Sequence, residues 1–164
     1  MKLQSPFLLC ICLAVALYCS KKRDGHRQSS KPSEPKNYKL VVDRGAFHYD
    51  KFVLTSNKIE YYPGHDNQFE YEKYNTHSET ILDSTMIKSF FQEIEEKGFW
   101  KLRDRYEAYA SCSSELKITL TVNEKTKTVI CDDYSTYCHD LIKYIDKKVV
   151  ELEGNNLKRI YLPG

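Results

Sequence analysis

The sequence predicts an α+β domain, an antiparallel sheet with two helices packed on one face, in the order strands, helix, hairpin, helix. Three features predict it. Short segments of alternating polarity occupy residues 40–75. Two later segments carry apolar residues at helical spacing. Between those helices lies a pair of alternating segments joined by a polar turn.

Taken in order, residues 40–43 and 47–55 read as strands, Ser56-Asn57-Lys58 as a turn, and residues 59–62 as the returning strand. Pro63-Gly64 breaks it. Residues 68–75 alternate Phe69, Tyr71 and Lys73 against Glu70, Glu72 and Tyr74, which predicts another strand. Asp83 or Ser84 then caps a helix whose apolar stripe is Met86, Ile87, Phe90, Phe91 and Ile94, and Gly98 ends it. Phe99 and Trp100 are expected to fold back over the core. Residues 115–122 form a strand with Leu116, Ile118, Leu120 and Val122 inward. A loop over Asn123-Glu124-Lys125-Thr126 and a return strand over 127–132 would set Leu120 opposite Val129 and Ile118 opposite Cys131. The closing helix covers 138–153, with Leu141, Ile142, Ile145, Val149 and Leu152 buried and Gly154 as its stop.

This domain, residues 38–164, is preceded by two segments of a different kind. Residues 1–18 have the order of a secretory signal: Lys2, then a mostly apolar run from Phe7 to Tyr18. The run is shorter than the roughly 20 residues a spanning helix needs. Leu17-Tyr18-Cys19-Ser20 resembles a lipobox, with Tyr18 where a small residue is usual, and marks Cys19 as the lipidation site. The competing reading is ordinary cleavage, for example after Ala16, with Cys19 an incidental thiol. Cys10 and Cys12 fall in the discarded signal either way. Residues 19–37 are a flexible linker rich in Ser, Lys and Pro, with a reach of roughly 20–25 Å. Its basic residues suit either a plain spacer or one resting on anionic headgroups. The expected location is the cell envelope, on the periplasmic side or cell surface, held to a membrane by the lipid and exposed to oxidising conditions.

Formal net charge is +2 over 164 residues, so nucleic acid is not an expected partner. The strand-helix order lacks the βαβ alternation that builds a nucleotide site at a switch point.

Gly98-Phe99-Trp100-Lys101-Leu102 with Asp104 and Tyr106, then Lys125-Thr126-Lys127-Thr128-Val129, then residues 141–146, together resemble a family of bacterial envelope domains of unknown function often found on lipoproteins. The resemblance spans residues 40–148 and implies no reaction. Members of that family often carry paired cysteines in a Gly-rich segment before the second strand. Here that place reads Arg44-Gly45-Ala46-Phe47-His48-Tyr49-Asp50, without cysteine.

Among residues that could carry chemistry, the hairpin register brings Cys112 near Tyr137 and Cys138. A Cys112–Cys138 disulfide is the expected pairing, with Cys131 a buried thiol beside Ile118. A metal site from Cys112, Cys131, Cys138 and His139 is disfavoured, because no C-x-x-C pair is present. His48, His65, His77 and His139 show no partner spacing. Glu60, Asp66, Glu70 and Glu72 lack the alternating ligands of a calcium loop, and Glu70 and Glu72 alternate as a solvated strand face would. No cofactor, metal or catalytic residue is expected. Tyrosine is heavily used, 13 against 7 phenylalanines, and two groups of it converge in the predicted register. Tyr106 and Tyr109 precede Cys112, while Tyr134 and Tyr137 precede Cys138. They are read as a recognition surface, with a covering of the core as the competing reading. The expected function is therefore non-catalytic binding of an envelope protein or cell-wall component. The alternatives are a small envelope enzyme using Cys112 and His139, and a purely structural module.

Overall fold

The chain divides after Glu34. The computed structural model describes residues 36–45, 49–64, 72–109 and 114–159, all in the second unit. The signal, Cys19 and most of the linker lie outside the described residues, as do Phe47, His48, residues 65–71 and Cys112.

The strands are β1 (Tyr38–Arg44), β2 (Asp50–Leu54), β3 (Lys58–Tyr62), β4 (Ser78–Ile81), β5 (Arg105–Tyr106), β6 (Leu116–Val122) and β7 (Lys125–Cys131). The helices are α1 (Ser84–Glu96) and α2 (Asp140–Glu153). Among the described residues the strands make one seven-stranded sheet, ordered β4-β3-β2-β1-β6-β7-β5. Every pairing is antiparallel except β5 with β7. The fold class is thus α+β.

Period-2 alternation explains which side of the sheet is apolar. Leu40 and Val42, Phe52 and Leu54, Ile59 and Tyr61, Leu116, Ile118 and Leu120, Val129 and Cys131 are all fully buried. Their neighbours Val41, Asp43, Lys51, Glu60 and Thr119 are not. The buried set shares one core with Ile87, Phe90, Phe91 and Ile94 of α1 and Leu141, Ile142, Ile145, Val149 and Leu152 of α2. Met86, expected in the α1 stripe, is instead 42% exposed.

Both helices begin and end where local chemistry dictates. Asp83 caps α1, its side chain accepting from the Met86 amide at 2.8 Å. Gly98 and Gly154 take left-handed φ of 88° and 94°, which a side chain would resist. Glu95 ties α1 to the start of the sheet: Lys36 Nζ and the Tyr38 hydroxyl donate to its Oε2 at 2.9 and 3.0 Å. Partial burial opposes its charge, and these bonds, with one from the Trp100 indole, more than offset that, holding the carboxyl below the usual range. The stacked Tyr38 and Phe91 rings, 4.5 Å apart, pack alongside.

Three expectations need correction. Residues 72–74 form a 3-10 turn in place of a strand, because Tyr74 turns into the core. The strand after it is β4, at the sheet's edge, where a half-exposed Ser-Glu-Thr-Ile gives no clear alternation.

The second correction concerns the β6–β7 hairpin. Its turn is Asn123-Glu124 alone, so Val122 pairs with Lys125 and Ile118 with Val129. Asn123 takes φ of 55°, a conformation asparagine tolerates better than most residues. It also exchanges two 2.8 Å hydrogen bonds with Asn37, which extend the β1–β6 ladder. The pairing slips by two residues, and an even slip keeps every side chain on its expected face.

That slip moves Cys131 from Ile118 to Leu116, nearer the open end of the hairpin. Cys138 is consequently bonded to Cys131, with Cα atoms 5.4 Å apart, and not to Cys112. Cys131 is therefore no free thiol. The bridge spans a sequence separation of 7. In the chain-entropy model, closing so short a loop stabilises by about 2.5 kcal/mol. Non-reducing peptide mapping should link Cys131 to Cys138, and Cys138→Ser should lower stability by about that amount. A Cys112–Cys138 peptide would contradict this pairing.

Candidate functional site

The strongest electrostatic feature is a charge pair closed inside the core. Arg44 ends β1 and Asp50 begins β2, and the two are register partners. Both side chains are fully buried. Arg44 Nε donates to Asp50 Oδ1 at 2.7 Å, and Nη2 donates to Oδ2. Its remaining nitrogen, Nη1, donates to the Leu157 carbonyl at 2.8 Å. The guanidinium also lies 4.8 Å from the Phe52 ring centre. Burial opposes the Arg44 charge, but the Asp50 carboxylate more than offsets it and its pKa is raised. The Tyr61 hydroxyl lies 3.2 Å from Asp50 Oδ2 and 3.0 Å from the Tyr74 carbonyl, and its one proton serves these acceptors. Burial, and then the Asp50 charge, push the Tyr61 phenol far above its ordinary pKa.

This pair anchors the chain that follows α2. Beyond Gly154, residues 155–159 run back past β1. Leu157 is fully buried, and the Tyr74 hydroxyl donates to the Lys158 carbonyl at 3.1 Å. Glu153, buried at the C-terminal end of α2, opposes the helix dipole there. Its carboxylate is offset by hydrogen bonds from Ser78 Oγ (2.5 Å), the Asn155 amide (2.9 Å) and Asn155 Nδ2 (2.6 Å).

Between this returning segment and α2 opens a cavity of about 630 Å³, walled by Arg44, Tyr134, Asp146, Val150, Lys158 and Arg159 among others. It is of ligand-binding size. Arg159 Nε donates to Asp146 Oδ2 at 3.1 Å, with side chains only 6% and 3% exposed. The Arg159 guanidinium lies 4.2 Å from the Tyr134 ring centre. Asp146 Oδ1 and Arg159 Nη2 are buried and have no hydrogen-bond partner among the described residues. The sequence carried one signal of this site: Asp146 interrupts the apolar stripe of α2, directly after Ile145.

The tyrosine group splits. Tyr106, on β5 beside Cys131, is buried, and its ring meets His139 at 5.8 Å. Tyr134 packs partly against the core. Tyr109 is 97% exposed and Tyr137 is 48% exposed. Both stay near one corner: the Ala108 amide donates to Asp132 Oδ2 at 3.4 Å, and the Tyr137 amide to the Asp133 carbonyl at 3.2 Å. Ser135 donates twice to Asp133 Oδ1, which holds the Asp133 carboxyl below its ordinary range and fixes the turn.

The remaining candidates have structural partners. His139 is the N-cap of α2, its Nδ1 accepting from the Leu141 amide at 3.1 Å. His77 Nδ1 lies 2.6 Å from the Tyr61 carbonyl. Glu60 pairs with Lys58 at 3.3 Å on the outer face of the sheet. Glu72 is exposed on the 3-10 turn. Asp66, Glu70, His48 and His65 lie outside the described residues, as does Cys112. Among the described residues no group of three or more His, Cys, Asp or Glu side chains is placed to hold a metal ion.

No family model matches the chain, and no curated protein matches it.

The Tyr61 environment gives a pH test. Its raised pKa contributes stability that is fully present below the unfolded phenol value of about 10 and is lost as pH rises above it. Between about pH 9 and about pH 11, urea midpoints of the wild type should fall more steeply than those of Tyr61→Phe. Parallel slopes would show that Tyr61 titrates freely.

Proposed function

We propose that this chain is an envelope protein anchored through a lipid on Cys19 and acting as a non-catalytic binding module. Its partner is an envelope protein or cell-wall component. The observation that carries the binding role is the pair Tyr109 and Tyr137, whose aromatic rings are left to solvent on a corner braced by Asp132 and Asp133. Tyrosine offers rigid contact area with a polar tip at small conformational cost. Tyr106 and Tyr134 support this corner from within.

The anchoring role rests on the apolar run before Cys19 and the linker after it. No helix among the described residues is long and apolar enough to cross a membrane. The resemblance to lipoprotein-associated envelope domains belongs to the same proposal. So does the placement of both helices on one sheet face, which is supported by the single core their stripes share with the alternate strand residues.

Crosslinked capture from intact membranes, read by mass spectrometry, tests this reading. The wild type should hold one stoichiometric partner. Tyr109→Ala with Tyr137→Ala should reduce that capture about tenfold or more at an unchanged melting midpoint, a loss of at least about 1.4 kcal/mol. Cys19→Ala should leave the membrane fraction and lose the acyl mass. Undiminished capture by the double tyrosine variant, or an unchanged mass for Cys19→Ala, would contradict the corresponding half of the proposal.

A further inference from the structure

The outer face of the sheet carries a second cavity, an open bowl of about 770 Å³ walled by β1, β2, β3, β6 and the turns beside them. It shares no residue with the Tyr109–Tyr137 corner. Two exposed tyrosines line it, Tyr49 at 67% and Tyr62 at 41%. Tyr62 is held in place: its hydroxyl donates to Glu60 Oε1 at 3.0 Å, and its ring lies 4.7 Å from the His77 ring. Tyr49 takes φ of 51°, a left-handed conformation that a bulky residue resists. Its ring, left to solvent, returns little packing for that strain. Backbone strain of this kind concentrates at ligand sites.

Charge narrows the class. Asp43 lies 3.4 Å from Lys51 Nζ and 3.3 Å from Lys117 Nζ, and all three side chains are partly exposed, so a ligand in the bowl reaches them. Lys39, Lys51 and Lys117 stand against Asp43, Glu60 and Glu115, while the Arg44–Asp50 pair cancels itself. The lining is therefore balanced and favours neither an anion nor a cation. Ammonium donors beside carboxylate acceptors suit a neutral ligand whose groups both donate and accept, as hydroxyls do. The tyrosine rings offer apolar faces to its carbon skeleton. All four wall strands are interior to the sheet, so their backbone groups are committed and no peptide can add there as a strand.

We propose that this bowl binds a neutral oligosaccharide. Tyr49 and Tyr62 stack against its sugar rings, and Asp43, Lys51 and Lys117 hydrogen-bond its hydroxyls. The site goes beyond the binding role of the Tyr109–Tyr137 corner and does not depend on it.

Titration of the full chain with maltotriose, cellotriose, N-acetylchitotriose and a capped trialanine peptide, followed by NMR, tests the assignment. At least one trisaccharide should bind with a dissociation constant below about 1 mM, and the peptide about tenfold or more weakly. Raising sodium chloride from about 0.05 M to about 0.5 M should change that affinity less than about twofold, because no net charge is neutralised. Tyr62→Ala should weaken binding about tenfold or more. Tyr49→Gly is the second arm. It removes the ring and relieves the backbone, so it should weaken binding equally without lowering the urea midpoint. Tyr109→Ala with Tyr137→Ala should bind the trisaccharide as the wild type does, which separates this site from the tyrosine corner. Absence of binding by all three trisaccharides, equal binding of the peptide, a steep loss of affinity with salt, or a folded Tyr49→Gly that binds normally would overturn the proposal.

Discussion

Arg44 and Asp50 hold opposite charges in the core with neither side chain exposed, and much of the molecule is arranged around them. Desolvating two ions costs several kcal/mol each unless geometry and further hydrogen bonds offset it. Here two nitrogens of Arg44 bind the two carboxylate oxygens, the third takes the Leu157 carbonyl, and the Tyr61 hydroxyl adds to Asp50. The contacts come from β1, β2, β3 and the segment after α2. A pair made across register partners opposes any slip of β1 against β2, because a one-residue shift would put the two charges on opposite faces of the sheet.

The returning segment inherits its position from that pair. Leu157 is held from one side by Arg44, and Lys158 is held from another by Tyr74. Arg159 is thereby set against Asp146 and the Tyr134 ring. The cavity is what remains between this segment and α2. Two strands over in the same register row as Arg44, the Cys131–Cys138 bridge ties β7 to the approach of α2, and the Asp132–Asp133 corner presents Tyr109 and Tyr137.

Helices with strong amphipathic stripes were legible from the sequence because their burial is set by local period: α1 and α2 start within two residues of their expected positions and bury nearly all of their predicted stripes. The inward face of β6 and β7 was legible for the same reason, and an even register slip left it intact. What was not legible depended on turn length and on distant partners. The short Asn123-Glu124 turn rests on contacts to Asn37, which no local pattern reveals, and the cysteine pairing changed with it. β4 and β5 are short edge strands, of four and two residues, too short and too polar to show an apolar alternation in sequence. Arg44 lies just past one expected strand and Asp50 within the next, and no local pattern pairs them; only the fold buries them together. Asp146 was visible as a charge within an apolar stripe, but its partner Arg159 comes from beyond the helix.

A double-mutant cycle at Arg44 and Asp50, using Arg44→Met, Asp50→Leu and the combination, tests this dependence most directly. Each single substitution strands a buried charge and should cost about 3–5 kcal/mol in urea unfolding. The double variant should cost well below their sum, giving a coupling of at least about 2 kcal/mol. Single costs that add to within about 0.5 kcal/mol would show that the two charges do not act as a pair, and would contradict the account.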